Sequence, residues 1–110
     1  MSLQANRTKD DMKTIDAEKF LDFVETQQDK WLHTLARKAK YKVRVVQHGN
    51  TRGFEYFIHS TKNRRIHERK FLDRVIGRFN ESNSFKKSDY QELTVNASYD
   101  LGLINSYLQS

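Results

Sequence analysis

Two short segments in which apolar and polar residues alternate, separated by a turn that begins and ends with glycine, constrain this chain more than any other feature. In residues 41–47, Tyr41, Val43 and Val45 alternate with Lys42 and Arg44; Gly49-Asn50-Thr51-Arg52-Gly53 follows, and alternation resumes from Phe54 to His59. Strand side chains point to opposite faces with a period of two, so this pattern predicts an antiparallel β-hairpin. With the turn centred between Asn50 and Thr51, Val45 faces Tyr56 and Val43 faces Ile58, and the apolar residues of both strands share one face. On the other face Lys42 opposes His59, Arg44 opposes Phe57 and Val46 opposes Glu55. That face is basic and aromatic. Alternation alone leaves open whether it is bare or covered by a further element that makes Phe57 a core residue.

Helical periodicity flanks the hairpin. Phe20, Phe23, Val24, Trp31, Leu32 and Leu35 fall on one helical face and Asp22, Glu25, Asp29 and Arg37 on the opposite one, which predicts a helix over 16–39. Asp16 suits its N-cap, and Ile15 with Phe20 suits a hydrophobic staple. Residues 64–80 read as a second helix whose apolar arc is Phe71, Leu72, Val75, Ile76 and Phe79, with Ile66 off that arc. His67, Lys70, Arg74 and Arg78 run along one margin of this helix. The carboxy-terminal segment supports two readings. Leu93, Val95, Ala97, Tyr99, Leu101 and Leu103 alternate as a strand would, while Ser88 with Gln91 makes a capping box, and Tyr90, Leu93, Ala97, Leu101, Ile104 and Leu108 fit a helix. A strand over 92–97 and a short helix from Tyr99 are expected.

The predicted class is therefore α+β, a single small domain in the order α-β-β-α-β-α, with the hairpin packed against two amphipathic helices. Residues 1–14 read as a loose polar tail and 15–110 as the domain. Seven Phe, five Tyr and one Trp supply large side chains for one core.

Charge is segregated along the chain. The formal net charge is +6, yet residues 30–87 alone carry sixteen basic groups against four acidic ones, a net +12 between acidic ends. Such a block is the electrostatic footprint of a surface that meets a polyanion. The hairpin's outer face (Lys42, Arg44, Phe57, His59), continued by Lys38 and Lys40, and the stripe Lys70, Arg74 and Arg78 form the strongest constellation. Cations neutralise phosphates, and an exposed aromatic stacks on an unpaired base. Arg52 between two glycines is a candidate phosphate contact at the hairpin tip. The run Lys62, Arg64 and Arg65 would open the second helix, where cations oppose the helix dipole unless an anion is bound.

Chemistry beyond binding finds little support. The chain has no Cys, which excludes disulfides and thiolate chemistry and suits a reducing cytosol. No HExxH, GxGxxG or GxxxxGK motif is present. No metal and no cofactor is expected, and neither is a membrane span or signal peptide. The leading expectation is a non-catalytic cytoplasmic nucleic-acid-binding protein, DNA favoured over RNA, in a regulatory or accessory role. The rivals are a module docking an acidic protein surface and a small ribonuclease or toxin using His59, Glu55 and Arg44. Nothing in the pattern sets an oligomeric state.

Overall fold

A computed structural model describes residues 13–110 of the chain. Most of the segment read as a tail, residues 1–12, lies outside the described residues. Among those described, the elements in order are α1 (Ala17–Glu25), β1 (Leu32–His33), β2 (Lys40–His48), β3 (Thr51–Ile58), β4 (Asn63–His67), α2 (Arg69–Ser82), a 3₁₀ turn (Lys87–Asp89) and α3 (Ala97–Leu108). The class is α+β as expected. The order differs, because four antiparallel strands lie side by side as β1-β2-β3-β4.

The hairpin forms with its apolar residues on one face, but its register is displaced by two residues from the expected one. Val43 pairs with Tyr56, Val45 with Phe54, Lys42 with Phe57 and Arg44 with Glu55. The cause is the turn. The loop contains only Gly49 and Asn50, with Gly49 at φ 59°, the left-handed conformation that a tight two-residue hairpin turn demands at its first position. Thr51, Arg52 and Gly53 therefore belong to β3. A displacement of two keeps each side chain on its expected face, because the period of a strand is two.

The first helix is shorter than the periodicity predicted. Asp16 caps it by accepting from the Lys19 amide at 3.0 Å, as expected. It ends at Glu25, where the Thr26 hydroxyl donates to the Phe23 carbonyl at 2.6 Å, and Asp29 takes a left-handed φ of 66°. The polar run Thr26-Gln27-Gln28-Asp29-Lys30 is thus a reversal, and Leu32 and His33 pair with Tyr41 and Lys40 as β1. The Gln28 side chain accepts from the Val45 amide at 2.7 Å, closing part of the edge of β2 that β1 does not cover.

The second helix also starts later, at Arg69. Residues 63–67 are strand β4, in which Arg65 pairs with Tyr56 and His67 with Phe54. Ile66, off the helical arc, is the residue that betrays the strand. From Leu72 to Phe79 the apolar arc is buried as predicted. Asn80 and Asn83, at the end of α2, clamp the chain before α1. Asn80 Oδ1 accepts from the Ile15 amide at 2.7 Å and Asn83 Oδ1 from the Lys13 amide at 2.6 Å. Lys13 and Thr14 are therefore tethered to the domain.

The expected strand over 92–97 does not form. Tyr90, fully buried, donates to the Ser84 carbonyl at 2.7 Å, and the Leu93 and Thr94 amides return to the Tyr90 carbonyl, winding the segment into turns. The helix then begins at Ala97. It buries Ala97, Asp100, Leu101, Gly102, Leu103 and Ile104, a wide arc that hid its period in the sequence. Gly102 is required where α3 crosses the sheet, since a Cβ there would lie 2.9 Å from the Tyr41 hydroxyl oxygen.

All three helices contribute to one core with Tyr41, Val43, Phe54, Tyr56 and Ile58 of the sheet's inner face. Within it lies a polar cluster. Asp100 of α3 is completely buried, the Tyr56 hydroxyl donates to its Oδ1, and His67 Nε2 lies 2.7 Å from its Oδ2. That last contact is close but turned, so neither atom has an aligned hydrogen-bond partner among the described residues. Asn96 Nδ2 lies 3.4 Å from His67 Nδ1. Removing the carboxyl group leaves the buried Tyr56 hydroxyl without its acceptor and takes away the close contact to His67, so Asp100→Ala is expected to cost about 1–3 kcal/mol in urea unfolding, and Asp100→Asn less.

Burial, with Asp100 close by, raises the Tyr41 and Tyr56 phenols above the ordinary value near 10. The folded protein holds these protons more tightly than the unfolded chain. The stability they contribute is therefore complete below about pH 10 and lost as pH rises beyond it. Alkaline titration followed by circular dichroism and tyrosinate absorbance should show the buried phenols ionising together with unfolding.

Candidate nucleic-acid interface

Because the helices share one side of the sheet, no helix among the described residues covers the other. The alternation of β2, β3 and β4 delivers Lys40, Lys42, Arg44, Glu55, Phe57, Arg64 and Ile66 to this outer face. Trp31, immediately before β1, joins them. Its ring lies 6.2 Å from that of Phe57 and 5.1 Å from that of His59, with the Lys42 ammonium 4.7 Å from its centroid. Trp31 remains 43% exposed and Ile66 64% exposed, so both are large apolar side chains in water. Phe57 is half-buried, with the Arg64 guanidinium 5.5 Å from its ring centroid. No α3 residue makes it a core position.

Between Asp29, Lys42, Arg44, Glu55, Phe57 and Arg64 the face dips into an open hollow of about 220 Å³. Its charge is mainly positive. Glu55, the carboxylate that the strands place on this face, pairs with Arg64 at 3.3 Å and lies opposite Arg44. Of the residues singled out for acid–base chemistry, His59 contacts Trp31 and Glu55 bonds to Arg64.

Other expected contacts lie elsewhere. Arg52 turns to the inner side of the hairpin, where Glu18, Asp22 and Glu25 of α1 hold its guanidinium at 2.8, 2.9 and 3.3 Å. Hydrogen bonds to Glu18 and Asp22 raise its pKa, and hydrogen bonds from Arg52 and Arg69 lower that of Glu18. The acidic amino-terminal segment thus neutralises part of the basic middle from within, which excludes Arg52 as a free phosphate contact. Lys62 sits in the β3–β4 turn at φ 58°, and Arg64 and Arg65 belong to β4, so this run opens no helix. Arg65 points to the inner side, 5.8 Å from the Tyr99 ring centroid. Lys38 is exposed in the β1–β2 turn at φ 57°.

The stripe on α2 does not join the hairpin face. It belongs to the helical layer, on the opposite side of the sheet. Lys70 and Arg74 lie 5.2 and 5.6 Å from the Phe71 ring centroid, and Arg78 donates to the Asp89 carbonyl and pairs with Glu92 at 3.1 Å. The constellation read from sequence divides in two, and the sheet half retains the aromatics. Trp31 was missed there because helical periodicity assigned it to the core. The polar run before it was the available signal.

No family model, no curated protein and no solved structure matches the chain. The geometry predicts a division among its cations. On a phosphate-bearing cation-exchange resin, Lys42→Ala and Arg44→Ala should elute at clearly lower salt than the parent chain, whereas Arg52→Ala should elute close to it, since Arg52 is already neutralised.

Proposed function

We propose that this protein binds nucleic acid, DNA in preference to RNA, through the outer face of its sheet and acts as an accessory factor without chemistry of its own. The observation that carries this reading is the one-sided burial of the sheet. It leaves Lys40, Lys42, Arg44 and Arg64 beside half-exposed aromatics, with Glu55 already engaged by Arg64. Cations so arranged neutralise phosphates and release condensed counterions, which is the main source of sequence-independent affinity. Lys38 and Lys62, exposed in turns, extend the positive field beyond the strands. A chain without cysteine suits a reducing cytosol.

A second reading draws on Ile66. An aliphatic side chain 64% exposed on the same face adds nothing to phosphate binding and suits a partner protein whose acidic surface has an apolar centre. Such a partner would co-purify and resist displacement by oligonucleotide.

Salt dependence tests the first reading. With four cations engaged, the log-log slope of affinity against salt should be about −3 to −4, from roughly −0.7 to −0.9 per neutralised phosphate. Retention of no oligonucleotide at low salt overturns it.

A further inference from the structure

Across the outer face, perpendicular to the strands, Lys42 pairs with Phe57 and Phe57 with Arg64. Trp31 leans over this row, its ring 6.2 Å from that of Phe57 and 5.1 Å from that of His59, with the Lys42 ammonium 4.7 Å from its centroid. Two neighbouring rings are thus flanked by cations, Lys42 at Trp31 and Arg64 at Phe57. Along β2, Lys40, Lys42 and Arg44 add a second line of charge at intervals of about 7 Å, two residues of strand. Both lines cross at Lys42.

We propose that the ligand of this face is single-stranded nucleic acid, its bases stacking on Trp31 and Phe57 and its phosphates meeting Lys42, Arg44 and Arg64. The inference rests on the reading of the face as a nucleic-acid surface and narrows it. A duplex stacks its bases inward and presents phosphates outward, so it engages the cations and leaves the aromatic rings idle. An unpaired strand leaves its bases free beside its phosphates, and every base offers a face on which to stack, so the two neighbouring rings and the cations beside them can be engaged together. The 43% exposure of Trp31 and the open hollow beside Phe57 give bases access to the rings. Lys42, already lying against Trp31, need only swing outward to follow a phosphate, whereas Arg64, lying against Phe57, exchanges Glu55 at 3.3 Å for it.

The chain's single tryptophan makes the test direct, because intrinsic emission reports on Trp31 alone. The parent chain is titrated at one low salt concentration with a thymidine 15-mer, the same strand annealed to its complement, and a uridine 15-mer. Binding is read by anisotropy of an end label and by tryptophan emission with unlabelled strands. The expected result is quenching by the thymidine strand and an affinity at least about tenfold above that for the duplex. Trp31→Ala should weaken single-strand binding at least about fivefold and duplex binding less than twofold, while Trp31→Phe keeps most of it. Circular dichroism establishes that both variants are folded, and quenching of the parent chain stands without them.

Duplex binding as tight as single-strand binding, with no quenching, overturns the single-strand assignment and leaves the phosphate-binding reading intact. Tighter binding of the uridine strand overturns the preference for DNA over RNA. Binding of none of the three overturns both readings.

Discussion

Asp100 has no surface exposed to water, yet from the first turn of α3 it carries a carboxyl group into the core. Its partners come from two strands, Tyr56 from β3 and His67 from β4. A buried carboxylate without such partners is strongly unfavourable, so the contact fixes which side of α3 meets the sheet and where along it. Tyr41 reinforces that placement by donating to the Tyr99 carbonyl at 3.1 Å, one residue before Asp100. Hydrophobic burial drives the layers together but is non-directional, and the polar cluster supplies the orientation.

Once α3 is held against the inner face, α1 and α2 have one side of the sheet on which to bury their apolar arcs. Phe20 of α1 packs edge-on against Phe54 of β3 and against Tyr107 of α3, at 6.0 and 5.5 Å between ring centroids. Ile15 enters the same core as Leu72, Val75 and Phe79 of α2. One layer of helices on one layer of sheet completes a small domain, and the second face of the sheet stays in water. The platform is thus a consequence of the packing. What its residues do with that position is a matter of their own chemistry.

That chemistry was legible where it depended on strand parity. Alternation placed Lys42, Arg44 and Phe57 on one face correctly, even though the register was displaced by two, because a displacement of two cannot exchange the faces. Helical periodicity was informative for Leu72 to Phe79, where one arc is buried. It misled where a second principle competed. Trp31, Leu32 and Leu35 fit a helical face, but after the left-handed turn at Asp29 Leu32 enters β1, Trp31 lies just before it and Leu35 falls in the β1–β2 turn. Residues 64–67 were read into the second helix although Ile66 lay off its arc. The alternation that runs from Leu93 to Leu103 suggested a strand over 92–97, because its second half is a helix buried over a wide arc, which shows no clean stripe. The division of the basic residues between two sides of the sheet is a tertiary fact that no local pattern contains. The pairing of Arg52 with an acidic helix thirty residues away is of the same kind.

A bare antiparallel sheet face bearing Trp31, Phe57 and Ile66 is also a liability, because sheets with exposed apolar residues and open edges invite other chains. The structure answers this with the same residues that make the face basic. The Arg64 guanidinium lies over Phe57 and the Lys42 ammonium over Trp31, so each ring's face carries a cation. Arg64 and Arg65 place charge on the edge strand β4, and Gln28 occupies the amide of Val45 on the opposite edge. The cations that make the face basic are thus the same groups that lie against its exposed rings, so one set of side chains sets both the charge of this face and the apolar surface it presents.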